Sequence, residues 1–544
     1  MEQPAAAKHA YPILLFLLAL CGVIFFFGLG RVALLGPDEP RYAEVAREMF
    51  VSGDYISPRL CGCLWLEKPA LLYWLAAASY QLLGVNEYAA RLPSALAATL
   101  TVLSLWWALS RAGFARLAVV AALLLATSAL FIGYARAATP DMLLTAAVTI
   151  ALLSGYLWTT ASGRARKVCW MVLWVAAGFA VLAKGLIGII VIVPVLGIYL
   201  AITGELKLID WRGCVTGLAV FLGVVSIWYV PVTVRHGWAF VDEFFVKQHF
   251  QRYLTNIYHH PQPAYFFPIV ALAGVLPWAF FMVPAVARLR ALRPRVKAED
   301  SILALAWVWV AWPLVFFSLS VSKLPGYILP IFPALAIIAG VEVERFRRGE
   351  RQVRLAAAAW ITAFSLVAIS AGFVVYTERQ LSGVTGWRMV LSGLPAAAAA
   401  ATALFLAAKR PRALVIGTAA VMATLVVSAV VLLSGALTER ATLKSFSLES
   451  AAQLRPDERI AFFIKSEYAP VFYAEGRVVC GVGEFDVLNA LSEETLVVAL
   501  ENERTLVVIT GEDWRDELEG YPLLTAELIG EQGKTFAYRV ALRK

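Results

Sequence analysis

Charge is scarce in this chain. Asp, Glu, Lys and Arg make up 16% of its 544 residues, against 60% hydrophobic content and a mean hydropathy of +0.74. A soluble protein of that size could not cover its surface with so little polar material. Cysteine is sparse too. The six are scattered, and Cys61 with Cys63 forms a lone C-x-C, too little for a zinc site and awkward for a mutual disulfide. The cysteines therefore receive no role. No internal repeat is visible, which argues against a secondary transporter built from two matching halves. No low-complexity linker occurs beyond the alanine run Ala396–Ala401, which belongs to an apolar stretch. The first apolar run, YPILLFLLALCGVIFFFGLG, is too long for the core of a cleaved signal, and no small-residue cleavage pattern follows it.

What is present is a series of apolar runs of about twenty residues, the length that crosses a bilayer. The expectation is a mainly α, polytopic membrane protein. The net charge of +9 fits Lys and Arg gathered in cytoplasmic loops; it needs no nucleic acid partner, and it would also suit anionic lipid substrates. Basic clusters at Arg111–Arg116, Arg164–Lys167, Lys207–Arg212, Arg288–Lys297, Arg345–Arg354 and Lys409–Arg412 mark that side, and an even number of crossings must separate each from the next. The runs between them pair into hairpins with outer tips at ARAATPD, at Lys184-Gly185, over a large outer loop at residues 233–263, at SKLPGY and at TERQLSGVTGWR. Only one crossing fits between the first outer loop, residues 36–90, and Arg111. The short ALLYWLAAASYQLLG is placed at the outer interface and RLPSALAATLTVLSLWWALS across the membrane. The total is about thirteen spans, with the N-terminus inside and the chain beyond Leu433 outside. Residues 1–435 form the membrane domain. Residues 436–544 turn soluble in composition: RIAFFI, PVFYAE, RVVCGV, TLVVAL and RTLVVIT read as strands of a small α/β domain, a structural or acceptor-guiding cap.

Polar residues collect on the outer side. The densest island is Gly36–Pro69, GPDEPRYAEVAREMFVSGDYISPRLCGCLWLEKP. Charge is costly near hydrocarbon, so such an island is a functional candidate, with a solvated loop as the alternative. Asp38-Glu39 would sit at the positive end of a helix beginning at Pro40, which explains one of the two acids. Glu67-Lys68 closes the island with another acid–base pair, whereas Glu44, Arg47, Glu48 and Asp54 read as helix and loop charges. Arg136 and Asp141 lie at the next tip, where Asp141 is equally placed to cap the helix that follows. Lys184 and Lys323 are cations on the wrong side for the positive-inside rule; they contact a ligand or snorkel. The large outer loop holds four of the five histidines. His249, His259 and His260 could join Glu67 on a metal, although their spacing matches no standard zinc pattern. Interfacial anchoring accounts for the aromatic residues of that loop. Acids and cations at one aqueous–lipid boundary suit a phosphorylated lipid held by cations while a carboxylate handles the reacting group.

In order along the chain, D-E-x-R-Y-A-E, GDYISPRL, W-L-E-K-P, R-L-P-S, A-T-P-D, A-K-G, Q-H-F-Q-R-Y and S-K-L-P-x-Y-I-L-P resemble the GT-C glycosyltransferases of the protein O-mannosyltransferase-like superfamily. The closest likeness is to the bacterial lipid A aminoarabinose (4-amino-4-deoxy-L-arabinose) transferases. Each motif alone is weak, but the ordered set runs from Tyr11 to about Leu433 and is specific. The resemblance implies a GT-C fold with a periplasmic C-terminal domain, in the bacterial inner membrane. It implies an inverting glycosyltransferase that moves a sugar from a polyprenyl (undecaprenyl) phosphate carrier to an acceptor at the periplasmic face, aminoarabinose to lipid A phosphate or a related lipid or glycan. Transfer to a protein hydroxyl is the first alternative and a transporter the second.

Residue by residue, the resemblance makes Asp38 the essential first-loop aspartate, followed by Arg41 and Tyr42. Glu67 matches an acid near a metal, Lys68 a lysine on the lipid phosphate, and Asp141 the second-loop acid. Lys184 resembles a further phosphate-contacting lysine. His249 and Arg252 look like the histidine and arginine of the large loop, with His260 a rival to His249, and Tyr327 matches a later-loop tyrosine. The implied catalytic set is Asp38, Arg41 and Asp141, beside phosphate-binding Tyr42, Lys68, Lys184, Arg252 and Tyr327. The family pattern admits a divalent metal (zinc, magnesium or manganese) on Glu67 and His249. The implied partners are the polyprenyl-phosphate-sugar donor, a lipid A or other lipid or glycan acceptor and the bilayer, with the protein a monomer. Pro40 stands where threonine is expected in the aminoarabinose transferases; proline is common in less specialised relatives.

Overall fold

The computed structural model describes residues 3–254, 261–292, 298–350, 352–381, 386–408, 410, 412–463, 468–479 and 491–543. The chain divides into two compact units. The first comprises Met1–Leu29, Glu67–Leu72 and Arg91–Leu433; the second comprises Gly30–Leu66, Tyr73–Ala90 and Ser434–Lys544.

Among the described residues, nine helices are long and apolar enough to cross a bilayer. Two bent pairs add one crossing each if each pair is one span: Ala115–Ala126 with Ala129–Ala135, bent by 67°, and Phe266–Gly274 with Trp278–Ala291, bent by 111°. Three shorter apolar helices, Ala10–Phe26, Leu71–Leu83 and Ile187–Thr203, complete the set. The core of the first unit lies on Pro325–Arg347, whose most apolar stretch is 94% buried, and on Asp141–Thr160 at 83%; Trp211–Gln248, at 17%, is peripheral. Small residues make the central approach possible. A Cβ at Gly340 would lie 3.0 Å from Leu117 and 3.5 Å from Ala121, so the helices Phe332–Arg347 and Ala115–Ala126 close at a glycine–alanine contact.

The segment expected as a large outer loop is mostly helical. The helix Trp211–Phe240 runs into it, broken at Gly237 (φ 55°, ψ −132°), and continues as the π-helix Val241–Gln251 and the turn Arg252–Leu254. Only glycine adopts the Gly237 conformation without strain. The aromatic residues explain why the helix persists. Phe240 and Phe244 are fully buried, with ring centroids 5.4 Å and 6.2 Å from Trp228, and the two rings stack at 5.3 Å. Spacing of four residues puts both on one helical face. Part of the aromatic content assigned to interfacial anchoring is therefore an interior cluster.

In the second unit the first-loop residues form the helix Asp38–Ser52 and a short antiparallel pair, Arg59–Leu60 with Cys63–Leu64. The tail adds the helix Lys444–Ala452 and a four-stranded sheet. Strand order is Arg459–Phe462, Thr505–Gly511, Thr535–Leu542, Leu524–Gln532, the first pair parallel and the others antiparallel. Its core joins Ala461, Val508 and Tyr538 of the sheet to Leu496 and Leu500 of the helix Glu493–Glu503.

RIAFFI and RTLVVIT supply two of these strands, as their composition predicts. PVFYAE instead gives the helix Ala469–Tyr473, with Pro470 in the first turn where proline is favoured. TLVVAL lies in Glu493–Glu503, where Ser492 accepts the Thr495 amide as a cap and outweighs β-propensity. Of RVVCGV, Val478 makes an isolated bridge to Ile460, and Cys480 onward to Val482 lies outside the described residues. The sequence reading passed over the C-terminal hairpin entirely.

Cys61 is disulfide-bonded, while Cys21, Cys63, Cys169 and Cys214 are free. The C-x-C pair does not bridge itself, but denying every cysteine a role overlooked Cys61.

Candidate functional site

The two acids at the start of the first-loop helix have separate tasks. The helix begins at Asp38, two residues before the expected start, with Pro40 in its first turn. Buried Glu39 accepts the Leu35 amide through Oε2 at 2.7 Å, so it holds the turn that enters the helix. Asp38 pairs instead with Arg41 one turn on, and its side chain stays 45% exposed. No side chain caps the helix; Glu39 holds the turn that leads into it, and Asp38 is left half-exposed. The Arg41 guanidinium, 16% exposed, lies against three rings: Tyr42 at 5.1 Å, Trp65 at 5.3 Å and Tyr468 at 5.4 Å.

The charges read as ordinary helix and loop charges build the frame of this helix. Glu44 is fully buried and takes both Nε and Nη2 of Arg47, at 2.7 Å and 2.6 Å. Burial pushes the Glu44 carboxyl above its usual range despite that partner. Glu48 accepts the Cys61 and Gly62 amides and fixes the strand turn; Asp54 accepts the Ile56 and Ser57 amides. Apart from Asp38 and Arg41, then, the charges on this helix are structural.

In the first unit, Glu67 and Lys68 pair at 2.6 Å with little exposure of either. Asp141 opens the helix Asp141–Thr160, but the cap position is Pro140. The carboxylate pairs instead with Lys184, the last residue of Gly163–Lys184. A cation there also suits the negative end of that helix. Lys184 is not snorkelling: its Nζ lies 5.2 Å from the centre of the Tyr327 ring. Tyr327 belongs to the 3-10 segment Pro325–Ile331 and is braced by Phe267 and Phe317, at 6.3 Å and 5.6 Å. A Cβ at Gly326 would meet Asp141 Oδ1 at 2.6 Å and the Tyr134 hydroxyl at 2.7 Å. Only glycine lets this segment close on the carboxylate. Asp141, Lys184 and Tyr327, far apart in sequence, form one cluster.

Two other outer cations are ties within the fold. Buried Lys323 donates to the carbonyls of Gln262, at 2.9 Å, and Ser320. Arg136 donates to the carbonyls of Ile24, Phe25 and Phe27, at 3.0, 3.3 and 3.0 Å, at the C-terminal end of the first apolar helix.

His249 falls on the π-helix and Arg252 opens the turn after it; both side chains, with His259 and His260, lie outside the described residues. Among the described residues no group of three or more His, Cys, Asp or Glu side chains could hold a metal, and Glu67 is engaged by Lys68. Of the expected metal ligands Glu67 alone has a described side chain, and it holds Lys68. The sequence reading missed Tyr134, Gly326, Trp65 and Tyr468. Tyr134 lies four residues before the quoted A-T-P-D motif, Gly326 is the unspecified position within S-K-L-P-x-Y, and Trp65 opens W-L-E-K-P. Tyr468 carries no local signal.

The profile of the dolichyl-phosphate-mannose-protein mannosyltransferase family matches residues 67–229, the stretch holding Glu67, Lys68, Asp141 and Lys184. The whole fold superposes on ArnT from Cupriavidus metallidurans, solved bound to undecaprenyl phosphate. The TM-score is 0.80 at 26% identity, over 97% of this chain and 98% of that one. The oligosaccharyltransferase of Archaeoglobus fulgidus shares the fold alone, with a TM-score of 0.54 and 12% identity over 97% of this chain and 74% of that one. The protein is therefore a polytopic membrane protein of GT-C fold.

In sequence it is 30% identical over 386 residues to the undecaprenyl phosphate-α-4-amino-4-deoxy-L-arabinose arabinosyl transferase of Aeromonas salmonicida, covering 68% of this chain and 69% of that one. It is 32% identical over 308 residues to the enzyme so named from Erwinia tasmaniensis, covering 56% of this chain. The chain belongs to this arabinosyl transferase family. Against the Erwinia relative it spans 55% of the relative's length.

Proposed function

We propose that the protein transfers a sugar, 4-amino-4-deoxy-L-arabinose, from undecaprenyl phosphate to a lipid A phosphate or a related lipid or glycan at the periplasmic face of the inner membrane. The observation that carries this reading is the likeness, along nearly the whole chain, to a protein solved with undecaprenyl phosphate.

The helices support the proposed topology. Counting nine long spans, each bent pair once, Ala10–Phe26 and Ile187–Thr203 as crossings, and Leu71–Leu83 as interfacial, gives thirteen. An odd count with a cytoplasmic N-terminus leaves the tail periplasmic. The disulfide at Cys61 supports that side for the first loop, since disulfides persist in oxidising compartments; Cys169 and Cys214, beside basic clusters, are free. The enzyme acts as a monomer.

In the reaction, the bond between the anomeric carbon and the carrier phosphate oxygen breaks while the acceptor oxygen bonds to that carbon from the opposite side. Undecaprenyl phosphate leaves, and the configuration inverts. Lys68, Lys184 and Arg252 hold the carrier phosphate. Each lysine is already matched by a carboxylate, Glu67 or Asp141, so the arriving phosphate shares an oriented ammonium rather than ordering a loose one. As negative charge grows on the leaving phosphate, these fixed cations stabilise it. Tyr327 and Tyr42 brace Lys184 and Arg41 by their rings. Exposed Asp38 receives the acceptor. It would deprotonate a hydroxyl, whereas a lipid A phosphate is already ionised and needs only placement.

The reading is tested by titrating undecaprenyl phosphate onto the purified protein and its Lys68→Ala and Lys184→Ala variants. Weaker binding in both is expected, and unchanged affinity in both sinks the phosphate assignment. Asp38→Asn should keep carrier binding and lose transfer.

A further inference from the structure

The soluble tail reaches the first-loop helix, and it does so through fixed contacts. The buried helix Ala469–Tyr473 packs on Asp38–Ser52. The Tyr473 hydroxyl accepts the Leu34 amide at 2.9 Å and donates to Glu87 at 3.1 Å, and Lys444 pairs with the same carboxylate. Three residues beyond that helix, Gly476 lies against the Arg47–Glu44 pair. Tyr468 is the residue immediately before the helix, in its cap position, so its place is set by the docking of the helix.

We propose that Tyr468 is a positioning residue of the transfer site: its ring closes the aromatic box around Arg41 and so holds Arg41 on Asp38. This rests on the reading of Asp38 as the acceptor-side carboxylate. An ion pair three residues apart on a half-exposed helix turn constrains an arginine weakly, because two long side chains must give up rotamer freedom for a screened attraction. A guanidinium enclosed by ring faces is held far better, since each face attracts it and excludes water. Tyr42 and Trp65 come from the first loop itself and Tyr468 from the tail, which gives the tail a direct part in the chemistry. Without the third ring, Arg41 can leave Asp38, and the carboxylate loses the partner that fixes its direction.

The test compares Tyr468→Phe, Tyr468→Leu and Asp38→Asn in the full-length protein, with undecaprenyl-phosphate aminoarabinose as donor and lipid A as acceptor. Leucine keeps an apolar side chain of moderate bulk without a π face. Tyr468→Phe should retain turnover. Tyr468→Leu should lower kcat about tenfold, the scale of one partly desolvated cation–π contact, with the donor KM unchanged. Equal kcat for the Leu and Phe variants, while Asp38→Asn is inactive, overturns the role of the ring alone. Full activity in Asp38→Asn overturns the reading beneath it. Hydrogen exchange across Ala469–Tyr473 checks that the Leu variant keeps the tail docked; if it undocks, Tyr468→Trp, which keeps a π face, must restore turnover or the proposal fails.

Discussion

Gly476→Ala offers a sharp test of how the tail is seated, because the structure separates two costs. The residue has φ +76°, and holding an L-residue in the left-handed region costs about 1–2 kcal/mol. The new methyl would lie 2.5 Å from Arg47 Nη2 and 3.4 Å from Glu44 Oε1, so the guanidinium has to move. That motion strains the pairing of a carboxylate with no exposed surface, and complete loss of a buried ion pair would cost about 3–5 kcal/mol. The sum is at most about 4–7 kcal/mol, an upper bound comparable to the whole stability of many domains. Gly533→Ala is the control: its φ is +60°, with no heavy atom within 4 Å of the added Cβ, so only the backbone cost of about 1–2 kcal/mol applies. Amide hydrogen exchange in the full-length protein, read across Ala469–Tyr473 and Asp38–Ser52, reports both. The expected result is loss of protection in Gly476→Ala and near-native protection there in Gly533→Ala. Equal behaviour of the two variants would refute the argument.

Further outcomes follow from the charged clusters. A double-mutant cycle with Asp141→Asn and Lys184→Met should give a coupling of about 3 kcal/mol in thermal unfolding, because the pair is almost wholly buried; additive effects would deny it. Lys323→Met should destabilise the protein yet leave undecaprenyl phosphate affinity unchanged, since its ammonium serves two backbone carbonyls; a selective loss of affinity would contradict that. In the tail, desolvation is the largest influence on Glu458 and pushes its carboxyl up, but the Arg455 amide and the Arg539 guanidinium more than offset it and hold the carboxyl below its usual range. The unfolded chain therefore takes up this proton first as pH falls. The stability Glu458 contributes is present at neutral pH and lost on acidification through the ordinary carboxylate range towards its lowered folded value. Glu458→Gln should flatten the change in tail protection between about pH 7 and pH 4, and an unaltered pH profile would dismiss the group.

The membrane architecture was legible because its cause is local. A span announces itself by apolar length, so the long membrane helices could be recognised run by run. Asp38, Glu67, Lys68, Asp141 and Lys184 stood out because charge beside hydrocarbon has to be compensated. The structure adds what compensates it: Arg41, the Glu67–Lys68 pair itself, and Lys184 on Asp141. What stayed hidden depends on residues far apart. Phe240 and Phe244 look like membrane anchors until Trp228 is known to lie beside them. TLVVAL is β-prone by composition and helical by capping and packing. Glu44 looked like any surface acid, and only the fold reveals that it is buried. Tyr468 lies over four hundred residues from Arg41, and no periodicity spans that distance.

The central claim is transfer from an undecaprenyl phosphate carrier, and turnover of one labelled donor tests it most directly. Purified protein in bilayer nanodiscs would be given undecaprenyl-phosphate aminoarabinose and lipid A, with ArnT from Cupriavidus metallidurans run in parallel. The account predicts acceptor-dependent release of undecaprenyl phosphate, one molecule for each sugar transferred, abolished by Asp38→Asn. No release under conditions where the Cupriavidus protein turns over the same donor would contradict it.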